Sequence, residues 1–264
     1  MAERFGIVLL GLIGLIALLV PFLGLDDPLA SDVSSALARP GARHWFGTDA
    51  LGRDLFSRVL HAARLDLGLA LAGVSLGLFF GTMLGALAGW LGGTLAHMSD
   101  WLVDLLLSLP IYLLGMALAL GLGNSILVVV WATGLVNLPL FVRLTRIEVR
   151  RLGASLWVDA ARMAGEGEGR ILFRRILPKL WPLLVVQAST SLGWAALNAA
   201  GLSFIGLGVK PPQPEWGIMI AEGSRYLLAG QWWLVVFPGA ALALTVFGFH
   251  MLGDALRQRL GGRG

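Results

Sequence analysis

The chain has 264 residues, 57% of them hydrophobic and 14% charged, with a mean hydropathy of +0.79 and a formal net charge of +4. A soluble domain carries about 25% charged residues, so much of this apolar surface must face lipid. The absence of cysteine excludes a disulfide framework, a cysteine metal site and a cysteine nucleophile.

The first apolar element is Phe5–Leu25, an uncharged run of 21 residues. It is longer than the apolar part of a secretory signal, about 7–15 residues, and Pro21-Phe22-Leu23-Gly24-Leu25 offers no small-residue cleavage site. It therefore reads as a spanning helix covering 1–25. The segment 26–66 follows as an extracytoplasmic stretch. Within it Thr48 or Asp49 is placed to cap a helix from Ala50. Leu51, Leu55, Val59 and Ala62 fall on one face, with Arg53, Ser57, His61 and Arg64 opposite. That pattern predicts an amphipathic helix at the membrane surface.

The main membrane core is expected over 67–254. A second span is expected within Leu67–Ser99, where His97 is the only ionisable residue. Between Asp104 and Arg143 lie 38 uncharged residues. One helix of that length would run about 57 Å, against a hydrocarbon core of about 30 Å, so the stretch must hold two spans with Gly121–Ser125 as their turn. A fifth span lies between Lys179 and Lys210 and a sixth within Tyr226–Gly253, leaving 255–264 as a tail. The expected fold is an all-α membrane protein with about six transmembrane helices.

Nine of the 20 Lys and Arg residues lie in 143–179. Placing that loop inside puts most of the positive charge in the cytoplasm, so both termini are expected there too. The second span carries Gly73, Gly77, Gly81, Gly85 and Gly89, each four residues apart. Glycine at that spacing lets another helix backbone approach closely, so this row is expected to pack helices, with a pore wall as the alternative. No expected span carries Asp, Glu, Lys or Arg in its interior. Ion-coupled carriers use such groups, so the energy for any transport is expected to enter from outside the bilayer.

The loop 143–179 is too long for a turn. Leu156, Ala160, Met163 and Ala164 fall at i, i+4, i+7 and i+8 and form the apolar face of a short helix. Gly165-Glu-Gly-Glu-Gly169 then breaks it. A second helical stretch, Arg170–Leu177, runs into Pro178. The residues alone leave two readings open: docking into a groove on a soluble partner, where Ala160 and Ala161 permit close approach, or resting on lipid headgroups.

Asp159-Ala-Ala, Gly165 and Leu177-Pro178 resemble the EAA motif of ABC importer permeases. Asp159 stands for the usual glutamate, Glu166-Gly167 for the usual Ala-Ser, and Lys179 for a frequent asparagine. His44-Trp45-Phe46-Gly47-Thr48-Asp49, Gly52-Arg53-Asp54 and Ser57-Arg58 are similar to the signature of the dipeptide, oligopeptide and nickel permeases. So are Leu202–Val209, the prolines 211, 212 and 214, Trp216-Gly217, Phe237-Pro238-Gly239, Leu244-Thr245 and Leu252-Gly253-Asp254. The resemblance covers about 44–254 and favours the "C" type of permease subunit.

That resemblance implies a coupling helix on a cytoplasmic loop, involving Leu156, Asp159, Ala160, Ala161, Met163, Ala164, Gly165, Leu177 and Pro178. It implies a second homologous permease, two ATPase subunits that use ATP and Mg2+, an extracytoplasmic substrate-binding protein, and a place in the bacterial inner membrane. No cofactor, metal, catalytic residue or nucleic acid is expected for this chain, and it carries no GxxxxGK[ST] phosphate loop. Two rival readings remain: a secondary transporter, and an intramembrane protease built on Ser203 and His250.

Overall fold

The computed structural model describes residues 2–261. The elements are α1 (Ala2–Leu19), α2 (Leu55–Leu91), α3 (Gly93–Ser108), α4 (Ile111–Leu122), α5 (Ile126–Gly153), α6 (Leu156–Met163), the single turn α7 (Glu168–Arg170), α8 (Leu177–Phe204), α9 (Trp216–Ser224) and α10 (Trp233–Gly261). No β-strand occurs among the described residues. Four helices are long and apolar enough to cross a bilayer, and the bent pair α3–α4 makes a fifth when taken as one span. The apolar part of α1, Gly6–Phe22, is shorter. Its Val8, Leu12, Leu15, Leu18 and Phe22 are exposed, as lipid-facing side chains would be.

Several expected boundaries move. The second span and the amphipathic helix are one helix, α2, of 37 residues. It begins at Leu55 because Asp54 caps it, its carboxylate accepting from Ser57 N at 2.8 Å. Thr48 and Asp49 do not cap it. Asp49 accepts from Leu51 N and Arg53 N, closing a loop that turns at Gly52, where φ is +74°. The expected polar side is only partly solvated: Arg53 and Ser57 are buried, His61 is half-buried and Arg64 is exposed. Trp216 Nε1 donates to Val59 O at 3.0 Å, and the Phe46 and Phe237 rings stack at 3.9 Å. The segment before α2 is thereby folded onto the ends of the spans.

The third span is not one straight helix. It starts at Gly93, where Gly92 and Gly93 both have positive φ, and bends by 100° at Leu109-Pro110. The turn expected at 121–125 is present between α4 and α5. α5 continues past Arg143 to Gly153, so the interhelical loop is much shorter than 143–179. α7 runs through a wider π-helical turn at Ile171–Ile176 into α8, giving one helix over Glu168–Phe204. The last span begins at Trp233 and extends through the described part of the tail, with 262–264 outside the described residues.

The glycine row settles how the centre packs. A Cβ on Gly77, Gly81, Gly85 or Gly89 would stand 2.8, 2.8, 2.5 or 2.9 Å from the carbonyl oxygens of Gly134, Leu138, Val142 and Arg146 in turn. Gly73 meets the Thr133 side chain in the same way, at 2.8 Å. Each glycine thus seats one turn of α5, and this is the most extensive helix pair in the molecule. The row packs against α5 within the chain.

The register also gives directions. Numbers rise together along α2 and α5, so these helices run parallel. The chain between them must cross back once, and α3–α4 is the segment available. α1 and α10 run antiparallel, with Gly6 against Met251 and Gly248 against Leu10; so do α8 and α10, with Gly193 against His250 and Gly253 against Thr190. These directions are compatible with the six alternating crossings expected from the sequence.

Candidate functional site

α6 joins the end of α5 to the continuous α7–α8 helix. Ser155 is extended, with ψ of 144°, and starts α6. The helix then turns one narrow face inward. Val158 is 0% exposed and Ala161 6%, and both belong to the main core with Val149, Ile171, Leu172 and Ile176. The opposite face has no cover from the described residues: Leu156 is 86% and Met163 90% exposed, and Asp159, Ala160 and Ala164 are exposed as well. Ala161 is therefore corrected from the candidate contact face to the anchor of the helix. Leu177 is half-buried and Pro178 exposed at the start of α8, beside Met83 and Trp181 rather than on the α6 face.

The GEGEG turn has a definite construction. Glu166 N donates to Ala161 O at 3.1 Å and Gly165 N to Arg162 O at 2.9 Å, the paired bonds of a Schellman helix end. Gly165 has φ of +81°, which only glycine adopts readily. The two glutamates then tie the turn to basic partners. Glu168 pairs with Arg162 at 2.9 Å, and Glu166 pairs with Arg175. The Arg175 hydrogen bond holds the Glu166 carboxyl below its ordinary pKa. Asp159 also pairs with Arg162, at 3.2 Å.

Two cation–aromatic contacts attach the site to the spans. The Arg162 guanidinium lies 5.2 Å from the Trp90 ring centre at the end of α2. Lys179 Nζ lies 3.9 Å from the Trp157 ring centre, joining α6 to α8. Neither contact was expected from the sequence, because each joins residues whose separation is set by tertiary packing. The result is a short helix fixed on its inner face and edges, with an apolar outer face available. Such an element can take up a groove on another protein and pass movement to α2, α5 and α8.

At the other end of α2 is a buried acidic pair that sequence reading missed. Glu215 caps α9 by accepting from Gly217 N at 2.9 Å and Ile218 N at 2.8 Å, and Asp66 lies beside it. Trp216 N donates to Asp66 Oδ2 at 3.2 Å. Burial raises the pKa of Glu215. Two neighbouring buried carboxyls resist ionising together, and Asp66 Oδ1 is buried without a hydrogen-bond partner. No group of three or more metal-ligating side chains occurs among the described residues. Ser203 is buried at the end of α8, while His250 packs against Gly193, ten residues earlier on that helix. At 1.5 Å per residue they are about 15 Å apart along the axis and do not form a hydrolytic pair.

Residues 59–262 match the family described as binding-protein-dependent transport system inner membrane component. The chain is 39% identical over 255 residues to the dipeptide transport system permease protein DppC of Alkalihalophilus pseudofirmus, covering 97% of this chain and 84% of that protein. It is 41% identical over 253 residues to the probable D,D-dipeptide transport system permease protein DdpC of Escherichia coli, covering 96% and 85%. It is 35% identical over 257 residues to the nickel transport system permease protein NikC of Escherichia coli, covering 97% and 92%.

Proposed function

The chain belongs to the family of binding-protein-dependent transport system inner membrane components, and from that premise we propose that α6 is the point where its ATPase partner engages it. The chain is a multi-pass inner-membrane permease subunit of an importer. The observation that carries the coupling proposal is the outer face of α6, where Leu156 and Met163 are 86% and 90% exposed while the inner face is fully packed. Exposed apolar area costs about 25 cal/mol per Å² relative to burial, so a protein groove would gain by covering these two side chains.

In this reading the subunit forms half of a translocation pathway. A second homologous permease supplies the other half, two ATPase subunits sit beneath, and an extracytoplasmic binding protein delivers the solute. The ATPase subunits use ATP and Mg2+. Closure of their pair displaces α6, and the continuous helices on either side of it, α5 and α7–α8, carry the displacement into the bilayer. The positive charge around 143–179 supports a cytoplasmic location for α6 and for both termini. Peptides, nickel complexes or related small solutes are the cargo class suggested by the relatives.

The chain has no cysteine, so a single Met163→Cys substitution gives a clean probe. Its maleimide labelling should be fast in the isolated subunit and blocked in the complete complex. Equal labelling with and without the ATPase subunits would contradict docking at this face.

A further inference from the structure

The end of α2 remote from α6 holds a second charged cluster. α2 has 37 residues, about 55 Å at 1.5 Å per residue, so the two sites lie at opposite ends of the bundle. The cluster surrounds a cavity of about 140 Å³ lined by Asp49, Arg53, Arg58, Glu222, Arg225 and Tyr226, among others. The Arg53 and Arg58 side chains are only 5% and 1% exposed.

Their charges are incompletely matched. Asp49 Oδ2 serves both guanidiniums, at 2.6 Å from Arg53 Nε and 3.5 Å from Arg58 Nε. Its other oxygen is occupied by Leu51 N and Arg53 N. Glu222 reaches Arg53 only at 3.7 Å, and its side chain is 38% exposed. Arg58 otherwise donates to the neutral carbonyls of Pro28 and Pro212, at 3.0 and 3.3 Å. Arg225 stands exposed on the rim and forms no ion pair among the described residues. Three guanidiniums thus face two carboxylates.

We propose that this cavity is a socket for one acidic side chain of the extracytoplasmic binding protein, held between Arg53 and Arg225 when that protein docks. The proposal rests on the importer reading above, which puts this end of α2 outside. The cavity's size favours a protein side chain over the cargo, since it takes a carboxylate and its methylene stem but is well below the roughly 300–1,000 Å³ of small-molecule pockets. Guanidinium groups suit the occupant, because they bind carboxylates through paired hydrogen bonds.

The test uses the complete importer in lipid nanodiscs, with ATPase rate measured against the concentration of its binding protein. Arg225 is exposed, so Arg225→Gln should fold normally. It should raise KM for the binding protein about five- to tenfold with kcat unchanged, and flatten the salt dependence of KM. Glu222→Gln, which removes an internal competitor, should lower KM. Wild-type KM and salt dependence in both Arg225→Gln and Arg225→Glu would overturn the proposal. So would a changed KM for cargo at saturating binding protein with the binding-protein KM intact, which would assign the cavity to the cargo. Failure of the wild-type complex to respond to any binding protein would overturn the importer reading and the socket together, whereas a normal wild-type response with unaffected variants removes only the socket.

Discussion

Gly85 of α2 lies so close to Val142 of α5 that a methyl group on it would stand 2.5 Å from the Val142 carbonyl oxygen. Backbone on one side and backbone on the other leave no flexible side chain to move aside. Gly81 is similarly placed, 2.7 Å from Phe141 Cβ and 2.8 Å from Leu138 O.

Gly85→Ala and Gly81→Leu should therefore force α2 and α5 apart, at a cost of about 1–3 kcal/mol or more. The expected outcome is reduced yield of folded subunit and of assembled complex, without a shift in cargo preference. Gly239→Ala is the control, since nothing lies within 4 Å of that position, and its thermal stability should match or exceed wild type. Size-exclusion yield and melting temperature check all three.

The GEGEG turn separates its glycines by conformation. Gly165 has φ of +81°, and a β-branched residue there costs about 1–2 kcal/mol or more. Gly165→Val should misdirect α6 and lower uptake. Gly167 has φ of −69°, and both Gly167 and Gly169 have open space around them, so Gly167→Ala and Gly169→Ala should transport at the wild-type rate. Equal loss in all three variants would contradict the helix-end role of Gly165.

The Asp66–Glu215 pair makes a pH-dependent contribution. Glu215 has a pKa raised above the ordinary 4.5 by burial, so the folded state holds a proton that the unfolded chain releases. Its contribution is complete below that ordinary value and declines as pH rises toward the folded-state value. Asp66→Asn keeps an acceptor for Trp216 N and supplies a permanent donor to Glu215. The melting temperature of wild type should fall by about 3 °C or more between pH 5 and 8, and the variant should fall less. Parallel curves would show that no proton is shared.

Much of this architecture is legible in the sequence because it rests on local composition. Apolar run lengths mark the crossings, the four-residue glycine spacing marks the α2 seam, and Gly165 marks the end of α6. Other features depend on choices the sequence leaves balanced. Thr48, Asp49 and Asp54 are all good caps, and only the loop closed by Asp49 assigns the role to Asp54. Ala160 and Ala161 are chemically identical neighbours, and only packing against Ile171 and its surroundings makes one of them buried. Asp66 and Glu215 are far apart in sequence, so no pattern pairs them. The bend at Leu109-Pro110 was concealed within an uninterrupted apolar run.

Topology follows from the helix directions. Reporter fusions after Arg151 and within 211–216 should fall on opposite sides of the membrane, the first in the cytoplasm. Fusions on the same side would contradict the six alternating crossings.

The most direct test of α6 as the ATPase-docking element is the amount of ATPase that copurifies with an Ala160→Glu permease, followed together with uptake. Ala160 is exposed between Leu156 and Met163 on the apolar face, and no span depends on its side chain. A carboxylate there would be left unpaired in a desolvated contact, at a cost of about 1–3 kcal/mol or more. The variant should insert normally, lose most of its copurifying ATPase and lose uptake, while the binding protein keeps its affinity for ligand. Wild-type copurification and wild-type uptake would contradict docking through α6 and assign that face to the membrane surface.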